Sequence, residues 1–266
     1  MTRQMLGDAE WVTLKDKLQT IGWIWKCGDE GRNRRFLSGV YYLLRTGLPW
    51  ADLPVEFGNS DAVRKRFRRW CKAGIWQRLF EGTVVAEPVE KRLLDGTICK
   101  AHRSATGARG GAAENIGRSR GGLTTKIGAS VCAKTQKIVR VILAPGQRND
   151  CVLAAQMLGQ AEAITVIADK AFDTEPVRHE LAARGCTAVI PSKDNRRQPK
   201  KLNKAAYRQR HGIENVFSRV KDLVRITLRR DKTSISYLGF IHLACAILNI
   251  RRDNFLARKA DFVRRP

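Results

Sequence analysis

The order of apolar segments after residue 90 narrows the possible folds more than any other feature of this chain. Lys91–Thr97 is a short apolar run with an acid at its end, and it reads as a strand. Thr124–Val131 and Lys137–Ala144 are two further strand-like runs joined by the polar turn Ala133–Gln136, which predicts a hairpin. Asp150 is expected to cap a helix carrying Val152, Leu153 and Leu158. Ile164–Ala168 is a buried strand that stops at Asp169. Thr174-Glu175-Pro176 opens a helix that Gly185 closes. Thr187–Ile190 is a last strand, ended by Pro191; a basic loop, 193–204, leads to a helix over Tyr207–Lys221, and another covers Ile235–Ile250.

Three strands, then helix, strand, helix, strand, helix is the plan of an α/β sandwich of the ribonuclease-H-like kind. In that plan the first and fourth strands are neighbours, so Asp95 on one and Asp169 at the end of the other face each other. A carboxylate from the Tyr207–Lys221 helix could then reach both.

That helix carries Ile213, Val216, Phe217, Val220 and Val224 at helical spacing, one stripe for a core. At roughly 100° per residue, Tyr207, Arg210, Glu214 and Lys221 fall within about 60° of one another beside it. The arrangement suits a carboxylate that holds a divalent cation among bases that hold phosphate. On a single helix, a solvated face of intrahelical ion pairs gives the same pattern, so the case rests on the two upstream acids.

Charge points the same way. Lys and Arg number 50 against 25 acids, a formal net charge of +25, which favours a polyanionic partner and most simply nucleic acid. Residues 1–90 carry a net +4 and residues 91–266 a net +21, so the phosphates are expected mainly on the second part. A hydrophobic content of 43% excludes a disordered chain. With no run of about 18 apolar residues and no signal peptide, no membrane partner is expected and the protein should be soluble and intracellular. The seven cysteines are scattered without a Cys-x-x-Cys pair, and the four histidines lack ligand spacing. Neither a zinc knuckle nor a disulfide framework is indicated.

All six tryptophans lie in the first 76 residues, so this part has its own aromatic core. Phe36, Val40, Leu43 and Leu44 mark a helix broken at Thr46-Gly47-Leu48-Pro49-Trp50. Asn59-Ser60-Asp61 is an N-cap cluster opening a helix through Val63, Phe67, Trp70 and Cys71, with Arg64, Lys65, Arg66, Arg68 and Arg69 on its other faces. Helix, turn and basic helix is what a helix-turn-helix DNA reader needs; a bundle with a solvated basic face is the alternative. The polar stretch 81–90 reads as the linker. The expected architecture is therefore a small all-α, helix-turn-helix-like domain over residues 1–86, then a ribonuclease-H-like α/β domain over 87–266. Between Ala101 and Gly122, Gly, Ala, Ser and Arg predominate, which reads as a flexible loop with basic groups near phosphate or as a solvated linker.

Three carboxylates within a few ångströms repel unless protonated or bridged by cations. An Asp, Asp, Glu set of hard oxygens suits Mg²⁺ better than zinc. Two such ions about 3.5–4 Å apart would activate a water or a 3′-hydroxyl for phosphodiester transfer; Mn²⁺ is a possible substitute.

The motifs also carry a family likeness. The chain resembles bacterial DDE-type insertion-sequence transposases, in the insertion-sequence-five family of the insertion-sequence-four-like superfamily. Tyr207, Arg210, Glu214 and Lys221 match that family's Tyr-x2-Arg-x3-Glu-x6-Lys signature. Leu94-Asp95-Gly96-Thr97 with Ala101-His102-Arg103 is similar to its first acidic motif, and Ile167–Asp173 to its second. Gly117–Lys126 resembles its glycine-rich segment, and Leu44–Trp50 with Arg68-Arg69-Trp70 its N-terminal text. The likeness covers roughly residues 30–252. It departs at Cys132-Ala133-Lys134-Thr135, where the family's hairpin turn resembles Asp-x-x-Gly, and over residues 18–31. The resemblance implies Asp95, Asp169 and Glu214 as the metal-binding catalytic acids, with Tyr207, Arg210 and Lys221 at the DNA phosphates. It implies metal-dependent cleavage and strand transfer on duplex DNA, with inverted-repeat transposon ends and target DNA as partners and a homodimer at synapsis. A bacterial cytoplasmic, nucleoid-associated location is likewise what the resemblance implies. Arg118, Arg120, Lys126, Arg64, Arg68 and Arg69 are the further DNA contacts expected. Two competing readings are a DNA-binding repressor without catalysis and a ribonuclease-H-like nuclease on RNA or hybrids; the tryptophan-rich N-terminal part argues against the second.

Overall fold

Periodicity and punctuation set the helices where the sequence places them. The computed structural model describes residues 6–22, 30–84, 89–106 and 114–263, with side chains up to residue 258. Trp23, Trp25 and Cys27, residues 85–88 of the expected linker and 107–113 of the glycine-rich loop lie outside the described residues.

The contacts divide the chain into two compact units. The first lies within Met1–Val84, Ala101–Glu114 and Val220–Pro266; the second within Val85–Lys100 and Asn115–Arg219. The sequence boundary at 86/87 does not reproduce this division, because the C-terminal helix packs with the N-terminal helices.

The helical unit contains α1 (Asp8–Thr20), α2 (Glu30–Thr46), α3 (Ser60–Lys72) and α4 (Ile75–Glu81). Asn59 caps α3 as expected, its side chain accepting from the Ala62 N–H at 3.0 Å. Phe36, Phe67, Trp70 and Trp76 are buried against one another, with ring centroids 4.9–6.2 Å apart in four pairings, the spacing of a packed aromatic core. Arg66 turns inward over Phe36 at 4.2 Å, whereas Arg64, Lys65, Arg68 and Arg69 stay exposed.

The sheet unit is built from β1 (Lys91–Ala101), β2 (Gly117–Ser119), β3 (Gly122–Cys132) and β4 (Ile138–Pro145), followed by α5 (Asp150–Leu158), β5 (Thr165–Ala168), α6 (Glu175–Ala183) and β6 (Thr187–Val189). The sheet runs β2–β3–β1–β5–β6, with β4 also on β3. The first three long strands are antiparallel, while β5 pairs in parallel with β1 and β6 with β5. This is the expected ribonuclease-H-like plan. α5 and α6 cover an apolar layer that includes Leu94, Leu153, Met157, Val166, Phe172 and Leu181.

Three details differ from the sequence reading. Asn149, not Asp150, is the N-cap of α5, and Asp150 is the helix's first residue. Part of the expected glycine-rich loop is ordered: Gly117–Ser119 pairs with Gly122–Thr124 as a tight hairpin. The Tyr207–Lys221 helix is not continuous. α7 (Lys204–Tyr207) is followed by a 3₁₀ turn over Arg208–Arg210 and then α8 (His211–Lys221). The tighter turn removes Tyr207 from the regular α-helical phase, while Arg210 and Glu214 keep their i,i+4 pairing.

The chain closes with α9 (Val224–Thr227), the two-residue strand β7 (Leu228–Arg229) and α10 (Ser234–Val263). Ser234–Arg258 is long and apolar enough to cross a bilayer, yet 67% of its most apolar window is buried inside the protein, which marks the core helix of a globular unit.

Candidate active site

β1 and β5 bring two of the acids together by register. Leu94 pairs with Ala168, so Asp95 and Asp169 are the next residues on adjacent parallel strands. Asp95 is 18% exposed; its Oδ1 accepts from the Gly96 N–H at 2.8 Å and its Oδ2 lies 3.4 Å from Arg210 Nη1. Burial pushes the Asp95 carboxyl up to about 6, and the charges of Asp169 and Asp150 add to the rise; the Gly96 N–H and Arg210 oppose it. A carboxylate held in this way is short of positive charge.

Asp169 ends β5 and caps the 3₁₀ turn Lys170–Phe172, its Oδ1 accepting from the Ala171 N–H at 2.8 Å. Glu214 enters from the first turn of α8, whose Ile213, Val216, Phe217 and Val220 are buried. Gly212 lets this helix approach β1, since a Cβ there would stand 3.2 Å from Leu93 Cδ1. Arg210 Nη2 donates to Glu214 Oε1 at 2.5 Å, so one guanidinium joins Glu214 to Asp95. Among the described residues, no three His, Cys, Asp or Glu side chains stand in a metal-ligating array. Asp95 and Glu214 meet at Arg210, while Asp169 is placed beside Asp95 by the strand register.

Other side chains hold this arrangement, one of them expected elsewhere. Lys126, expected at phosphate, is instead buried: its Nζ lies 2.9 Å from Asp150 Oδ1 and donates to the Arg148 carbonyl at 2.5 Å. A buried ammonium with two partners is not presented to a polyanion, so Lys126 is a support of the site. A Cβ on Gly96 would collide with Asp150 Oδ1, which explains a glycine directly after Asp95. Asp173 has a fully buried side chain that accepts from Arg178 Nε at 2.6 Å, Arg196 Nη1 at 2.8 Å and the Lys193 N–H at 2.7 Å. Burial raises its carboxyl, but these donors together hold it below the usual carboxylate range. The basic loop after β6 is thereby tied to the segment that follows Asp169. The only sequence signal for this was an acid four residues past Asp169.

The other expected contacts are scattered. Tyr207 is half-buried at the end of α7, and Lys221 is exposed as the last residue of α8. Arg118 and Arg120 are exposed on the β2–β3 hairpin, as are Arg64, Arg68 and Arg69 on α3.

Asp95 and Glu214 offer hard carboxylate oxygens of the kind a divalent cation takes. Comparison with known proteins agrees with this chemistry. Residues 90–250 match the family described as "Transposase DDE domain", and residues 6–80 the family described as "Putative transposase of IS4/5 family". A Brucella ovis protein named "Putative transposase for insertion sequence element IS6501" is 35% identical over 115 residues, covering 42% of this chain and 88% of that protein. A Sinorhizobium fredii protein, "Uncharacterized protein y4sN", is 32% identical over 104 residues, covering 39% of this chain and 82% of its own. Among solved structures, the piggyBac transposase in a synaptic complex with hairpin DNA aligns with a TM-score of 0.53 at 13% identity, over 97% of this chain and 75% of that one. That likeness is one of fold.

Proposed function

Because this chain belongs to the DDE-domain transposases of the IS4/5 type, enzymes of DNA transposition by strand cleavage and strand transfer, we propose that Asp95, Asp169 and Glu214 are its catalytic acids. The family works with divalent metal ions. Here the ions are Mg²⁺, two of them, replaceable by Mn²⁺, held by these three carboxylates. When bound, such ions stabilise the charge that develops on phosphorus-bound oxygens and acidify an attacking water or 3′-hydroxyl. The observation that carries the assignment is the sharing of one guanidinium by Asp95 and Glu214, with Asp169 one register step from Leu94↔Ala168.

The protein's own groups divide the remaining work. Asp95 and Glu214 would hold the metal, and Arg210, which joins them here, would then be free for a phosphate oxygen of the scissile strand. Tyr207 and Lys221 add contacts to the same strand, and exposed Arg118 and Arg120 hold the backbone beside it. Arg64, Arg68 and Arg69 on α3 take a transposon end as the second helix of a helix-turn-helix reader. This gives the helical residues within 1–86 the task of end recognition and those within 87–266 the chemistry, with the C-terminal helix serving the fold of the first. The partners are duplex DNA, as inverted-repeat ends and as target, and a second copy of the chain at synapsis; its place of work is the bacterial nucleoid. Support for the DNA and the pairing comes from the net charge of +25 and from the piggyBac transposase, which was solved as a synaptic complex with hairpin DNA.

The test is cleavage of DNA carrying the inverted repeats that flank the gene, in Mg²⁺, Mn²⁺ or chelator, by wild type and Glu214→Gln. The expected result is metal-dependent cutting by wild type alone, with end binding kept by both. Equal cutting by both proteins would remove Glu214 from the site. Binding without cutting by either would make the chain a DNA-binding relic.

A further inference from the structure

Two arginines in the helical unit are buried for no purpose that the active site supplies. Arg225 is 2% exposed, and its guanidinium donates to both oxygens of Asp231, at 3.1 and 3.0 Å, and to the Leu48 carbonyl at 2.8 Å. Arg229 is 0% exposed and donates to the carbonyls of Glu114, Asp231 and Lys232 at 2.8, 3.0 and 3.3 Å. Removing two guanidinium ions from water carries a large desolvation cost. A turn between a short helix and a long one does not require it. What the two arginines do is fix the backbone of residues 229–232 so that alternate side chains point opposite ways. Arg229 and Asp231 face inward, whereas Arg230 is half-exposed and Lys232 exposed.

Those outward cations border a cleft of about 310 Å³ whose other wall is α3. Arg64 and Arg68, one helical turn apart, line that wall, and Ser104 and Trp50 complete the rim. The nearby acids are already engaged: Asp231 with Arg225, Asp61 with Arg64 and Lys65. Among the described residues no ion pair reaches Arg68, Arg230 or Lys232. The cleft therefore has a rigid floor, cations on two sides and little local charge to neutralise them.

We propose that this cleft is a phosphodiester clamp, in which Arg68 from one wall and Arg230 and Lys232 from the other grip backbone phosphates of duplex DNA. The proposal rests on the reading of this chain as a DNA-acting enzyme and adds a second wall, from the C-terminal part of the chain, to the α3 contact surface. The cations that line the cleft suit backbone phosphates. Its binding is consequently independent of sequence.

The experiment is fluorescence anisotropy with a short labelled duplex of arbitrary sequence, in chelator, over a range of KCl concentrations. Wild type is compared with Arg230→Gln/Lys232→Gln and with Arg64→Gln/Arg68→Gln. Each lost phosphate contact should flatten the slope of log K against log salt by about 0.9, so the loop variant should lose about 1.8. Its thermal midpoint should be unchanged, because both side chains point outward. Inorganic phosphate should compete more weakly with the loop variant than with wild type. Wild-type binding with an unaltered slope in the loop variant would overturn the clamp and leave the enzyme reading intact. Wild type that binds no duplex at all would overturn both.

Discussion

Arg210 and Asp95 meet across 115 positions of sequence, guanidinium Nη1 to carboxylate Oδ2 at 3.4 Å. The same guanidinium holds Glu214 through its other terminal nitrogen, so a protein cation lies against two acids assigned to metal. A divalent ion held by both carboxylates would have to displace it.

Displacement predicts a direct competition. Arg210→Gln should bind Mn²⁺ more tightly than wild type in the absence of DNA, by about tenfold, the worth of one or two charge-assisted hydrogen bonds and a repelling charge. Isothermal titration would measure it. Weaker or equal binding would mean that Arg210 organises the carboxylates for metal instead of competing for them.

Asp95→Asn should abolish cleavage yet stabilise the metal-free fold at pH 7. The ionised carboxylate is mostly buried and repelled by Asp169 and Asp150. Relieving that should give about 1–2 kcal/mol, after allowance for residual exposure. Urea denaturation in chelator reads it, and a destabilised variant would contradict the assigned electrostatics.

Asp173→Ala should be strongly destabilising. It leaves the guanidinium ions of Arg178 and Arg196 without their buried partner, at a cost of about 3–5 kcal/mol. Hydrogen exchange should show the loss concentrated in residues 191–200, the loop that Asp173 holds through the Lys193 N–H. Uniform loosening would assign the carboxylate to the global core.

His242, on α10, is 7% exposed and stacked on Phe80 with ring centroids 5.6 Å apart. Burial lowers its imidazole to about 4 from 6.5. The folded state thus binds the proton less readily than the unfolded chain, so this contribution is whole above pH 6.5 and is lost as pH falls toward 4. The expected loss approaches about 3 kcal/mol. His242→Phe should flatten the stability profile between those pH values, and an unchanged profile would place the acid sensitivity elsewhere.

Much of the candidate site was legible because its residues lie in short local patterns. Apolar runs of period two with acids at their ends located Asp95 and Asp169, and a stripe of period 3.6 located Glu214 and Arg210. The α3 cap at Asn59 was equally local, a polar side chain directly before an amphipathic run. What failed did so where a side chain's direction depends on distant chain. Lys126 looked like a surface cation in a basic, glycine-rich segment, but β3 is covered on both sides and turns it toward Asp150. Residues 220–266 looked like the tail of the sheet domain by chain order, yet their apolar helix finds its best burial among α1, α3 and α4.

The sequence by itself determined the order of the main strands and helices, the ribonuclease-H-like plan and the place of Asp95 and Asp169 at neighbouring strand ends, because hydrophobic periodicity and strand-end acids are read within a few residues. Only the tertiary structure decided that Arg210 joins Asp95 to Glu214, that Asp150 and Asp173 support the site, and that Arg230 and Lys232 face α3. Each of these is a pairing of charges across long chain separations. Which partner a charged side chain meets is settled by how the layers close, and no local pattern encodes it.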